Sequence, residues 1–216
     1  MTSNAVQWDE KLDEPYIDIV AVPGIRLTPL RDGDEASIAK LQREPMIAAR
    51  MYTIPSDDFV KKNMSEVRET IEALKFALKD PETPHTFAFG YPFQSIRNSD
   101  GEVIGLLSLR PFEHDPRGIS KEQMLALPRK EQTWIVGYKL HPAYQGKGIM
   151  SSSLKTAIDE WIKPWMGVGQ LTAGIELDNL ASLALAERVG FRRELVIDIP
   201  WTTGGTRKLA HYLKDL

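Results

Sequence analysis

Tyr138-Lys139-Leu140-His141-Pro142-Ala143-Tyr144-Gln145-Gly146-Lys147-Gly148-Ile149-Met150 is the stretch that decides how this chain folds and what it can hold. A strand ends, a proline and two glycines turn the backbone, and an amphipathic helix begins. That helix is predicted over Ile149 to Ile162, with Met150, Leu154, Ala157, Ile158 and Trp161 on one face and Pro164 closing it. Backbone N–H groups at a helix start have no intrahelical acceptor and lie at the positive end of the helix dipole. Gly146 and Gly148 carry no Cβ to hold an anion away from those donors, so the turn suits a pyrophosphate. Two familiar phosphate loops fail at named positions. No glycine is followed, after four intervening residues, by a Gly-Lys-Ser/Thr triplet, and the third glycine of a dinucleotide fingerprint is replaced by Ser151. For these residues alone, a strand–helix turn with no ligand is the plain alternative.

Outward from the loop, strands and helices alternate. Ile25 to Leu30 reads as a strand, and Asp34 to Arg43 as a helix with Asp34 available as its cap. Asp57 to Lys79 is a longer helix with Val60, Met64, Val67, Ile71, Leu74 and Leu78 at spacings of three and four, ended by Pro81 and Pro84. His85 to Tyr91 and Val103 to Arg110 read as strands joined through the turn Asn98 to Gly101. Residues 111–132 hold three prolines, many charges and one amphipathic stretch, Gln123 to Leu127, as an insertion loop would. Thr133 to Leu140 is the strand entering the central loop. Beyond the helix come a strand at Leu171 to Leu177, a helix at Leu180 to Val189 stopped by Gly190, and two strands flanking Gly204-Gly205. Residues 1–24 are weakly patterned and read as an N-terminal arm. The order is that of an α/β fold with mixed strand pairing, in one domain over residues 25–216.

Composition narrows the function. Apolar residues make up 42% and charged residues 26% of 216, the balance of a globular domain. The net charge of −3 provides no global field for nucleic acid or an anionic membrane. No apolar run approaches the ~20 residues of a membrane span, and no signal peptide opens the chain, so a cytoplasmic protein is expected. There are no cysteines, which removes disulfides, thiolate metal sites and a Cys nucleophile. His85, His114 and His211 show no metal-ligand spacing with one another, His141 before Pro142 reads as a turn residue, and no metal is expected.

Three motifs in order then carry a resemblance. Gln145-Gly146-Lys147-Gly148-Ile149-Met150 resembles the signature of the GNAT (Gcn5-related N-acetyltransferase) superfamily. Gly137-Tyr138-Lys139-Leu140-His141-Pro142 with Gly146-Lys147-Gly148-Ile149-Met150 is similar to the RimJ/RimL branch, as is Asp178-Asn179-Leu180-Ala181-Ser182 followed by Gly190-Phe191. Arg26 to Leu30 looks like that branch's first strand. The resemblance implies a twisted mixed sheet of about seven strands with helices on both faces. It implies acetyl-CoA as co-substrate and no metal. The acceptor would be a primary amine of a small molecule or a peptide N-terminus, attacking the thioester directly. Monomer and homodimer are both compatible with it, and a silent CoA-binding or protein-interaction module is the rival reading.

The resemblance also distributes roles. The Leu140 backbone N–H would polarise the thioester carbonyl. Gln145, Gly146, Lys147, Gly148, Ile149, Met150 and Ser151 would hold the pyrophosphate. Asn179 would face the pantetheine arm, although capping the following helix is its structural alternative. Ser182 would protonate the departing sulfur, or else bond within the first helical turn. Glu176 is a candidate base, with an ion pair at the sheet edge as its structural alternative. Ile135 and Ala186 depart from the family, standing where relatives often have Glu and Tyr.

Overall fold

In a computed structural model, residues 5–51, 58–79, 90–112, 118–201 and 204–216 are described. The fold is mixed α/β. The described residues hold nine strands, two more than the seven anticipated. The chain divides into two compact units, residues 1–108 with 138–166, and residues 109–137 with 167–216.

In the first unit, β1 (Val6–Asp9), β2 (Glu14–Asp18), β3 (Arg26–Thr28), β4 (Ser95–Arg97) and the first part of β5 (Val103–Pro111) run antiparallel in that order. The two extra strands thus form a hairpin inside the segment read as an arm. Val6 and Ile17 are buried there, and short strands with a charged turn leave little period-two signal. In this unit β4 pairs with β5, and the stretch His85 to Tyr91 read as a strand is described only at its end. Residues 85–89 lie outside the described ones, and Gly90 and Tyr91 are not in a strand. The intervening turn is as read: the Asn98 side-chain oxygen accepts from the N–H groups of Asp100 and Glu102.

Helix α1 (Glu35–Arg43), α2 (Pro45–Ala48) and α3 (Phe59–Ala77) follow the apolar spacing. Ile38, Leu41 and Ile47 pack with Leu30, Val103 and Leu106. Asp34 does not cap α1. Its carboxylate accepts from the Arg31 backbone and from both terminal nitrogens of Arg97, which is 3% exposed. A buried guanidinium must be paired, and this demand outweighs a cap worth about 1 kcal/mol. The helix after the central loop, α5 (Ile149–Ala157), continues as a π-helix over Ile158–Met166 with Pro164 inside it instead of at its end. Proline has no N–H to donate, and the wider spiral tolerates that loss where packing compensates. Trp161, Ile162, Trp165 and Met166 are all buried, with the two indoles stacked at 5.2 Å, and each such side chain contributes about 1.5–3 kcal/mol.

In the second unit the strand order is β6 (Thr133–Leu140, whose last three residues belong to the first unit), β7 (Gln170–Glu176), β9 (Thr206–Asp215) and β8 (Arg192–Pro200). β6 and β7 are parallel and the other pairs antiparallel. Helix α6 (Leu180–Val189) ends at Gly190 in the left-handed region, φ +89°. The segment read as an insertion contains α4 (Lys121–Ala126), started by a reciprocal capping box between Ser120 and Gln123. Its far end is pressed against β7: a Cβ at Gly169 would stand 1.9 Å from the Lys130 carbonyl oxygen, so only glycine fits.

Candidate active site

In the first unit the candidate residues are gathered in the loop between β6 and α5. Pro142 to Tyr144 form one 3-10 turn, in which the His141 Nδ1 accepts from the Ala143 N–H. His141 Nε2 therefore carries the proton and lies 3.3 Å from Glu44, so this histidine is a turn residue. The Gln145 side-chain amide reaches back to donate to the Leu140 carbonyl oxygen at 2.8 Å. Lys147 donates to the Ala143 carbonyl and lies over the Tyr144 ring. Gly146 and Gly148 have φ of +73° and +75°, and no atom lies within 4 Å of where a Cβ would be. Glycine is thus required there by backbone conformation, not by crowding in the protein itself.

Gly148 is also the residue preceding α5, and it brings no side chain to cap the helix. The amides of Ile149, Met150 and Ser151 come before the first intrahelical bond, from the Ser152 N–H to the Gly148 carbonyl. The Ser151 hydroxyl donates to that same carbonyl. Residues 145–148 are exposed, while Ile149 and Met150 are buried and anchor the helix start. A loop of this shape presents N–H donors at the positive end of a nine-residue helix. Every residue from Leu140 to Ser151 that the sequence pointed to is gathered here.

Lys139, one step before Leu140 on β6, drew no attention in the sequence. It is half-buried and makes no ion pair with any described residue, and burial holds its pKa below the usual lysine range. A lysine in a strand has no local signature, so nothing in the sequence would have flagged it.

The remaining sequence-predicted residues lie in the other unit. The β6–β7 ladder ends at Ile135↔Thr172, whereas β7 continues in register with β9 as far as Glu176. At that end the Asn179 N–H bonds to the Glu176 carbonyl, and the Asn179 side-chain oxygen caps α6 by accepting from the Ser182 N–H at 3.2 Å. The amide N–H₂ of Asn179 is not used in the cap. Ser182 is half-buried in the first turn. Glu176 accepts from Arg207 at 2.9 Å, and that guanidinium lies 4.0 Å over the Trp201 ring. Ala186 is buried and places no polar group in α6.

A sequence description of the acetyltransferase (GNAT) domain matches residues 25–192. The chain belongs to the GNAT family. This acetyltransferase is similar to the "Probable N-acetyltransferase YjcK" of Bacillus subtilis strain 168, with 28% identity over 176 residues, 79% of this chain and 81% of the relative. Its fold matches the solved RimL ribosomal L7/L12 alpha-N-protein acetyltransferase with a TM-score of 0.61 at 17% identity, covering 98% of this chain and 99% of that one. It also matches the microcin C7 self-immunity acetyltransferase MccE, solved with acetyl-CoA and AMP, with a TM-score of 0.56 at 17% identity over 93% and 96%. Among the described residues of the acetyltransferase, no helix is long and apolar enough to cross a membrane.

Proposed function

We propose that the acetyltransferase moves an acetyl group from acetyl-CoA to a primary amine, of a small metabolite or a peptide N-terminus, by direct attack. The observation that supports this most is the loop itself. Two left-handed glycines lead into a helix start whose amides have no cap, as a pyrophosphate-binding turn requires. Acetyl-CoA, when bound, supplies a thioester open to a neutral amine.

On this reading Gly146, Lys147, Gly148, Ile149, Met150 and Ser151 hold the pyrophosphate, and Gln145 keeps the turn closed on the strand end. Leu140 offers its N–H to the carbonyl oxygen as negative charge builds there. Asn179 turns its free N–H₂ toward the pantetheine amides while its oxygen caps α6. Ser182 delivers a proton to the departing sulfur. Glu176, oriented by Arg207, receives the proton that the acceptor ammonium loses. RimL is a ribosomal L7/L12 alpha-N-protein acetyltransferase and MccE, a microcin C7 self-immunity acetyltransferase, is solved with acetyl-CoA and AMP, which supports keeping a peptide N-terminus and a small molecule both as acceptors. A cytoplasmic location fits an enzyme drawing on acetyl-CoA.

The test has two readouts. Acetyl-CoA at ~100 times its Kd should stabilise the protein by about 2.7 kcal/mol, roughly 5–11 °C in Tm. Free CoA release over a panel of amines and peptides should then identify the acceptor. An absent thermal shift removes the reading altogether. A normal shift without turnover on any amine would favour a silent CoA-binding module.

A further inference from the structure

His211 on β9 has no metal-ligand spacing to the other histidines, but the fold gives it a different setting. It is paired with Gly174, which has no side chain, so the imidazole leans along β7 to Thr172, where Nε2 and the hydroxyl oxygen are 2.6 Å apart. The Thr172 hydroxyl donates its only proton to the Tyr212 carbonyl at 2.9 Å. At His211 it must therefore accept, which puts the ring proton on Nε2 and a lone pair on Nδ1. No described group donates to that Nδ1. The ring is stacked on Phe112 at 5.7 Å between centroids, and both line a cavity of about 530 Å³ in the second unit. That is the size of an ordinary small-molecule pocket.

The walls state a preference. Leu195 and Leu213 provide apolar surface beside the aromatic pair. β8 is bulged between Arg193 and Leu195, so Glu194 is the extra residue of that ladder, and it lines the cavity instead of pairing with β9. Its carboxylate is close enough to act on the imidazole electrostatically. Arg192, which does not line the cavity, bridges Glu194 and Asp215 and leaves further lone pairs on both carboxylates. Among the charged residues of the lining, the carboxylates of Glu131, Glu194 and Asp215 outnumber the single ammonium of Lys130.

We propose that this cavity is a binding site for an organic cation, a primary ammonium carried on an aromatic or compact apolar body. The ammonium would donate to His211 Nδ1 and Glu194, with the apolar body against Phe112, Leu195 and Leu213. The inference goes beyond the transfer reaction and stands without it, because none of these residues belongs to the proposed acetyl-transfer machinery.

Phenethylammonium is a suitable probe, with 3-phenylpropionate as an anion of like shape. Titration of the full chain without acetyl-CoA, followed by calorimetry and by the His211 ring resonances, should show saturable binding of the cation and shifts at His211. The anion should bind at least tenfold more weakly. Glu194→Lys, at an exposed bulge, should abolish cation binding with Tm unchanged, and His211→Gln should weaken it at least tenfold. Absence of saturable binding, equal affinity for cation and anion, or full affinity in Glu194→Lys would overturn the proposal. Since acetyl-CoA is omitted, this result and the transfer assay can fail independently.

Discussion

The side-chain amide of Gln145 donates to the carbonyl oxygen of Leu140 at 2.8 Å, tying the first residue of the glycine turn to the last residue of β6. That bond sets where the turn stands relative to the strand end. Replacing Gln145 by Leu keeps the bulk and removes the donor. A single hydrogen bond is worth about 0.5–1.5 kcal/mol, so CoA affinity should fall roughly 2–13-fold. Calorimetric titration with CoA checks this, and an unchanged Kd would mean the loop is preformed without Gln145.

Gly148 separates conformation from charge. Gly148→Ala meets no neighbour, so it should cost only about 1–2 kcal/mol for a left-handed alanine. Gly148→Asp adds a carboxylate at the uncapped helix start, beside the expected pyrophosphate. It should remove CoA binding altogether while the far-ultraviolet spectrum stays that of the wild type. An Asp variant that folds and binds CoA normally would disprove the phosphate-loop assignment.

Asn179 and Ser182 share one helix turn but should respond differently. Asn179→Ala deletes the cap of α6 and should cost about 1 kcal/mol of stability. Ser182→Ala leaves the Ser182 N–H and its cap in place. It should lower kcat at least tenfold with little change in acetyl-CoA affinity, since a positioned proton donor is worth ~10²–10⁴-fold. Wild-type turnover in Ser182→Ala would assign that proton to solvent or to the acceptor ammonium.

His211 makes stability depend on pH with a definite sign. Burial lowers its folded pKa below the unfolded value of 6.5, so the unfolded state binds protons first as pH falls. Its contribution is complete above pH 6.5 and is lost as pH drops through the depressed folded pKa. Urea unfolding at about pH 7.5 and about pH 5 should show a smaller difference in His211→Gln than in the wild type. Equal differences would show that the ring charges freely in the folded protein.

Gly169 is the sharpest packing constraint among the described glycines. A methyl group there would lie 1.9 Å from the Lys130 carbonyl oxygen, an obstacle made of backbone. Gly169→Ala should therefore destabilise by about 2–3 kcal/mol, near the upper end of overpacking costs. A Tm within a degree of wild type would mean that the segment before β6 moves aside freely.

By itself, the sequence determined the elements whose cause is local. The strand Thr133 to Leu140, the glycine turn and the helix from Ile149 follow from side-chain period, missing Cβ atoms and unpaired helix-start amides, all within a few residues. The same holds for α6, with Asn179 at its start and Gly190 at its end. Motif order along the chain was enough for the family. Only the tertiary structure decided what depends on partners distant in sequence. Asp34 left its helix for Arg97, 63 residues away, because a buried guanidinium must be paired. The helix ran through Pro164 because Trp161 and Trp165 stack in the core. His211 acquired its tautomer from Thr172, 39 residues earlier, and its stacking partner from Phe112. Such pairings depend on strand register and on which faces meet. Local periodicity does not encode either, because the energy that selects them arises only when the faces are brought together.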